Sequence, residues 1–153
     1  MEWKTINELC DVIRKTSLDI HQYHRSGHLE KIYENALAHR LRKLRLDVKQ
    51  QHQLMVHDED GEELGEYFAD LFVEGQLIVE LKACQATNNE HVAQILGYLR
   101  SAGVVHGLLI NFGASRLYIK KYILSKNPAL KSQTIKSLFL GFCAACASSW
   151  LYR

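Results

Sequence analysis

The fold-deciding stretch is Glu66-Tyr-Phe-Ala-Asp-Leu-Phe-Val-Glu-Gly-Gln-Leu-Ile-Val-Glu-Leu-Lys-Ala83. It predicts two β-strands joined by a tight turn at Glu74-Gly75. Side chains alternate along a strand, so Glu80 and Lys82 share one face of the second strand, opposite its leucines and valine. A hairpin brings Asp70 of the first strand near that charged face.

Two carboxylates beside a lysine are typical of a divalent-metal site, because hard oxygen ligands suit Mg²⁺ or Mn²⁺. The same pattern fits a second interpretation. Glu80 and Lys82 also match the solvated face of an edge strand, where charges prevent aggregation. The hairpin residues alone do not distinguish the metal site from the edge strand, so the rest of the chain has to decide between these interpretations.

The composition indicates an ordinary globular protein. The 153 residues are 47% hydrophobic and 24% charged, enough for one domain with its own core. No apolar run reaches the roughly 18 residues of a membrane span, and the N-terminus lacks a signal-peptide core. The four cysteines do not form a disulfide framework, so we expect a cytoplasmic, reducing location and no membrane.

The net charge of +2 conceals an asymmetry along the chain. From Lys120 to the C-terminus there are six basic residues and no acidic ones, which leaves residues 1–119 with 13 basic and 17 acidic residues. The acidic balance of residues 1–119 does not favour nonspecific nucleic-acid binding. Local patches must therefore make any phosphate contacts.

The periodicity predicts the element order α-α-β-β-β-α-β-β, a mixed central sheet of about five strands flanked by helices, in the α/β (α+β) class. Helices are expected over about residues 5–24 and 28–45, and three strands joined by short turns follow as an antiparallel meander. Thr87 and Glu90 match a capping box that opens a third helix, which ends before Gly103. A helical crossover leads to a buried strand over residues 104–111, and the last strand covers residues 116–123.

The C-terminal segment is set apart by Pro128. We expect residues 1–126 to form the folded domain and residues 127–153 to form an apolar, helical tail. Its apolar run over residues 138–147 is too short to span a bilayer. Such a run either covers the protein's own core, which we favour, or mediates homodimerisation.

Four features in this order resemble the PD-(D/E)XK nuclease superfamily: Glu30 on a leading helix, Asp70 on a strand, Glu80-x-Lys82 on the next, and Gln94-x-x-x-Tyr98 on the following helix. Gly27-His-Leu-Glu-Lys-Ile-Tyr33 is similar to the signature of the GxxExxY proteins, a prokaryotic family of that superfamily. Two further segments also resemble that family, Gly65–Asp70 and Leu109–Gly113. The likeness covers about residues 5–123, and Ala69 stands where the superfamily name has proline.

The resemblance implies a role for each matching residue. Asp70 and Glu80 are expected to hold Mg²⁺ or Mn²⁺ with the main-chain carbonyl of Leu81, and Lys82 to orient or deprotonate the attacking water. Glu30 is expected to ligate a second metal or hold a metal-bound water. The remaining pair, Gln94 and Tyr98, is expected to support this network, although Tyr98 equally suits simple packing.

The expected function is that of a metal-dependent nuclease acting on DNA. The alternative is a catalytically quiet binding or regulatory module that keeps the nuclease fold, and a purely structural scaffold is a third class. Cys10, Cys143 and Cys146 resemble part of an iron–sulfur ligand set, but a fourth ligand is missing, which argues against a cluster.

Overall fold

The computed structural model describes residues 5–125, which form one mixed five-stranded sheet with three helices. This confirms the predicted α+β class and element order. The elements are α1 (Ile6–His24), α2 (Glu30–Lys43), β1 (Val48–His57), β2 (Glu63–Val73), β3 (Leu77–Lys82), α3 (Asn89–Ala102), β4 (His106–Asn111) and β5 (Tyr118–Ile123).

The strands lie in sequence order across the sheet, β1-β2-β3-β4-β5. All neighbours are antiparallel except β3 and β4, which are parallel and joined by α3 as the helical crossover. The charged strand β3 is therefore the central strand, and Glu80 is only 2% exposed. The edge-strand interpretation is wrong, because β4 pairs with the side of β3 that an edge would leave free.

The turn between β2 and β3 is located where the sequence predicts it. Glu74 and Gly75 have φ values of 53° and 65°, the left-handed pair that a tight hairpin requires. Gln76 N–H donates to the Val73 carbonyl at 3.2 Å across the turn. The Glu74 carboxylate also accepts from the backbone N–H of Asp47 at 2.6 Å, which ties the turn to the start of β1.

Helices cover both faces of the sheet. The larger core packs α1 and α2 against one face through residues such as Ile13, Leu37 and Leu81, all fully buried. The smaller core lies under α3 and includes Ile78 and Leu99. The two helix layers are why the inner strands are nearly continuous apolar runs in the sequence.

The start of α3 differs from the prediction. Asn88, not Thr87, is the N-cap, and its side chain accepts from the backbone N–H of His91 at 3.1 Å. In return, the His91 ring nitrogen Nδ1 accepts from the Asn88 backbone N–H at 3.2 Å. His91 is therefore occupied in a capping box. The helix ends at Gly103, which is left-handed as expected (φ 65°).

Gly113 provides a sharp test of this packing. A Cβ at that position would lie 2.3 Å from the backbone nitrogen of Cys84, and a backbone atom cannot move aside as a side chain does. We expect Gly113→Ala to lower the free energy of unfolding by roughly 3 kcal/mol in urea denaturation. Gly97→Ala is the control: it lies within α3 near only the flexible end of Arg100, and should stabilise by about 0.5–1 kcal/mol. Equal behaviour of the two variants would contradict the close approach of Gly113 to the Cys84 backbone.

The proposed tail, residues 127–153, lies outside the described residues, as do Cys143 and Cys146. The domain boundary at residue 126 and the self-association of the tail therefore stay predictions. Across the described part of the chain, no helix has the length and apolarity needed to cross a membrane.

Candidate active site

The register of the hairpin places Asp70 and Glu80 together. Between β2 and β3 the last paired residues are Leu71 and Val79, and continuing the register by one residue sets Asp70 opposite Glu80. Residues opposite each other in an antiparallel pair share one face of the sheet. Both are buried, with 9% of Asp70 and 2% of Glu80 exposed. The predicted convergence on one side of the meander is what the register produces.

Both oxygens of Asp70 are held. Oδ2 accepts from the backbone N–H of Leu81 at 2.8 Å, and Oδ1 accepts from the side-chain amide of Gln51 at 3.2 Å. Burial raises the pKa of Asp70, and the hydrogen bond from Leu81 and the charge of Lys82 oppose that rise. The carboxyl group therefore has a fixed orientation despite its unfavourable surroundings.

Glu80 and Lys82 form an ion pair inside the site. Lys82 Nζ donates to Glu80 Oε1 at 2.7 Å, whereas the buried Oε2 has no hydrogen-bond partner. Burial, followed by the charge of Asp70, raises the pKa of Glu80 to about 7, and Lys82 offsets only part of this. Burial alone would lower the pKa of Lys82, but the pairing with Glu80 outweighs it and the pKa is raised.

Glu30 approaches the same region from α2, of which it is the first residue. Burial raises its pKa, while the charge of Lys82 and a hydrogen bond from the Ala83 backbone lower it. These interactions place the Glu30 carboxylate beside the C-terminal end of β3, where the other charged groups are found.

Gln94 and Tyr98 adjoin the site from α3. Gln94 Nε2 donates to the Tyr98 hydroxyl at 2.8 Å, as their spacing of four residues allows. Tyr98 is 7% exposed, belongs to the smaller core, and lies against the ring of Tyr67 with centroids 5.3 Å apart. Burial and then the charge of Glu80 raise its pKa. Tyr98 therefore packs in the smaller core and is also close enough to Glu80 to be affected by its charge.

Two polar residues of the site were not predicted, Glu34 and Gln51. Glu34 is 2% exposed and accepts hydrogen bonds from Gln50 and Gln51, both at 2.9 Å. It follows Glu30 by four residues and so lies on the same helix face, a signal that would have identified it. Gln51 has no comparable signal in the sequence. Its φ of 48° departs from strand geometry, and the strand pattern of the sequence does not indicate this departure.

Asn111 holds the segment that follows Lys82. It is buried at the end of β4, where its Oδ1 accepts from the backbone N–H groups of Cys84 and Gly113 at 3.1 and 3.0 Å. Its Nδ2 donates to the Cys84 carbonyl at 2.8 Å. These three bonds fix the backbone immediately after the charged pair.

The donor set fits a hard divalent cation that keeps several waters. The unpartnered buried oxygen of Glu80 is a carboxylate acceptor that a cation would satisfy, and Asp70 lies across from it. Within residues 5–125, no three His, Cys, Asp or Glu side chains are grouped to enclose a metal ion. Two carboxylates with water and substrate oxygens completing the shell is the arrangement that Mg²⁺ and Mn²⁺ accept.

The sequence matches the family model of the PD-(D/E)XK nuclease superfamily over residues 7–122. Among solved structures, SSO0001 aligns with a TM-score of 0.51 and 16% identity, covering 77% of this chain and 69% of its own. An alkaline exonuclease (LHK-Exo) from Laribacter hongkongensis aligns with a TM-score of 0.41 and 12% identity over 92% and 81% of the two chains. The first likeness concerns the fold alone, and the second is too weak to add to it. No curated protein matches the sequence significantly.

Proposed function

This chain belongs to the PD-(D/E)XK nuclease superfamily, and on that basis we propose that it is a metal-dependent nuclease that hydrolyses phosphodiester bonds in DNA. The observation that carries the proposal is the buried placement of Asp70 across from Glu80, with Lys82 paired to Glu80 at 2.7 Å. Burying two carboxylates together is unfavourable for folding, and a bound cation would offset this unfavourable energy. Within the superfamily, the segment Gly27–Tyr33 favours the GxxExxY proteins.

Asp70 and Glu80, with the main-chain carbonyl of Leu81, would hold Mg²⁺ or Mn²⁺. Such an ion supplies neutralisation of the phosphate and a more acidic bound water. The protein's own contribution is to hold the two carboxylates in a fixed orientation. Asp70 is oriented by the Leu81 N–H, and Glu80 keeps one oxygen without a protein partner.

Lys82 is proposed to orient the attacking water and to offset the negative charge that develops on the phosphate. Its raised pKa keeps the ammonium charged at neutral pH, which favours this role over that of a general base. Its ion pair with Glu80 keeps Nζ within the site.

Glu30 and the α3 residues are proposed to complete the site. Glu30 is proposed to hold a water or a second cation at the end of β3, since the charges of Lys82 and Asp70 both act on its carboxyl group. Gln94 donates to the Tyr98 hydroxyl, and the charge of Glu80 acts on that hydroxyl. This pair supports the carboxylate from the α3 side and presents a hydroxyl for the nucleic-acid backbone.

A catalytically quiet binding module is the second candidate, and one observation favours it. The β1–β2 turn and the start of β2 carry six exposed carboxylates, which repel a nucleic-acid backbone: Asp58, Glu59, Asp60, Glu62, Glu63 and Glu66. Such a module would bind Mn²⁺ at the intact carboxylates but release no nucleotides.

The test is incubation of the purified chain with single-stranded, double-stranded and branched DNAs, and with matched RNAs, in Mg²⁺ or Mn²⁺. We expect cleavage of at least one DNA that EDTA stops. Asp70→Ala, purified in parallel, controls for a contaminating nuclease. Mn²⁺ binding without cleavage of any substrate would favour the quiet module, and absence of both would contradict the metal site itself.

We also propose a cellular setting and a role for the tail. The cysteine usage supports a cytoplasmic location, and the apolar tail supports a homodimer as the alternative to intramolecular packing. Truncation after Lys126 tests the tail: an unchanged melting temperature and an unchanged oligomeric state would exclude both roles.

A further inference from the structure

Gln51 interrupts β1 at the position facing the site. Its neighbours Gln50 and His52 pair with Leu71 and Ala69, so the same register sets Gln51 opposite Asp70. Its φ of 48° lies in the left-handed region, which costs a residue with a side chain about 1–3 kcal/mol. A left-handed residue is unusual in the middle of a strand. Such a conformation persists only where contacts hold it, and here these are the contacts of the Gln51 side chain.

The side chain of Gln51 bridges two carboxylates. Its amide nitrogen donates to Glu34 Oε2 at 2.9 Å and to Asp70 Oδ1 at 3.2 Å. Carboxylates only accept hydrogen bonds when ionised, so the nitrogen end of the amide must face them. The two hydrogens of the amide are thereby matched to the two acidic groups.

Glu34 is a fixed anchor for this bridge. It is 2% exposed, and its other oxygen, Oε1, accepts from Gln50 Nε2 at 2.9 Å and pairs with Lys31 Nζ at 2.7 Å. The amide of Gln51 is therefore hydrogen-bonded to a side chain of α2 that is itself held in place. Gln51 is exposed, so it has no packing role in the core.

We propose that Gln51 is a positioning residue that sets the orientation of Asp70 for metal binding. This rests on the proposed function, in which Asp70 is a metal ligand. Leu81 N–H fixes Oδ2 of Asp70, and Gln51 fixes Oδ1, so the plane of the carboxylate has no remaining freedom. Groups that orient a metal ligand without touching the metal typically change its affinity about 10–100-fold when removed.

The experiment uses Gln51→Gly, because glycine adopts a φ of 48° without strain and the variant should fold at least as well as the parent. We expect Mn²⁺ affinity, measured by calorimetry on the nucleic-acid-free protein, to fall about 10–100-fold. With DNA, kcat at fixed Mn²⁺ should fall while KM for DNA stays unchanged.

Gln53→Ala is the matched control, since Gln53 is also an exposed glutamine of β1 but its side chain donates to Met55 and Glu66, away from Glu34 and Asp70. It should keep the parental Mn²⁺ affinity. An unchanged affinity in Gln51→Gly, or an equal loss in Gln53→Ala, would overturn the proposal.

Asp70→Ala separates this inference from the function on which it rests. If Asp70→Ala loses Mn²⁺ binding and Gln51→Gly does not, only the positioning role fails. If Asp70→Ala binds Mn²⁺ like the parent, the metal site itself is wrong and the positioning role falls with it.

Discussion

Lys82→Ala should lower the cleavage rate by on the order of 10²–10³-fold while the protein still binds Mn²⁺. Lysine is no metal ligand at neutral pH, so its loss removes charge stabilisation and not an oxygen donor. Asp70→Ala should lose both cleavage and Mn²⁺ binding, because it removes an oxygen ligand. The comparison of these two variants separates the chemistry from the metal site.

The pH of the measurement matters for Lys82→Ala. The charge and hydrogen bond of Lys82 lower the pKa of Glu80, so without Lys82 that pKa rises further above about 7. A protonated Glu80 binds a cation poorly, and Mn²⁺ titrations should therefore be made over a range of pH. We expect Lys82→Ala to approach parental Mn²⁺ affinity as the pH rises. A loss as large as that of Asp70→Ala at every pH would mean that Lys82 is structural.

Glu80→Gln should stabilise the metal-free protein at alkaline pH and abolish cleavage. The folded-state pKa of Glu80, about 7, lies above its ordinary value of 4.5, so folding favours the protonated form. That stability is fully present below pH 4.5 and is lost as the pH rises through about 7. Glutamine resembles the protonated acid at every pH, and the variant should gain on the order of 3 kcal/mol over the parent above a pH of about 7.

Urea denaturation in EDTA at several pH values measures this gain, which should disappear in acid. Glu59→Gln, at an exposed position in the β1–β2 turn, is the control for loss of one negative charge. Mn²⁺ should raise the stability of the parent and leave that of Glu80→Gln nearly unchanged, because the variant lacks the Glu80 carboxylate that would bind the ion. A Glu80→Gln variant less stable than the parent in alkaline EDTA would contradict the conclusion that burial raises the pKa of Glu80.

The proposed site is expected to oppose folding in the absence of a cation. Asp70, Glu80 and Glu30 all have raised pKa values with burial as the largest cause, so each is held in surroundings that disfavour its charge. Sites of this kind commonly trade stability for function. The surrounding cores, which pack both faces of the sheet, are what keep the carboxylates in place.

The sequence by itself determined the hairpin and the identity of its charged residues. Strict alternation and the Glu74-Gly75 turn are local properties, since they depend on backbone geometry within a few residues. The same holds for the end of α3 at Gly103 and for the joint appearance of Gln94 and Tyr98 on one helix face. The order of the motifs along the chain was enough to indicate the superfamily to which the family model assigns it.

Only the tertiary structure decided whether β3 is central or at an edge, because that depends on β4, which follows β3 only after the intervening helix α3. The structure also has Asn88, not the predicted Thr87, as the cap of α3. The left-handed Gln51 was beyond local patterns, because its strained backbone is maintained by contacts between α2, β1 and β2. Spacing along a chain encodes which residues share a face, but which faces meet is decided by packing.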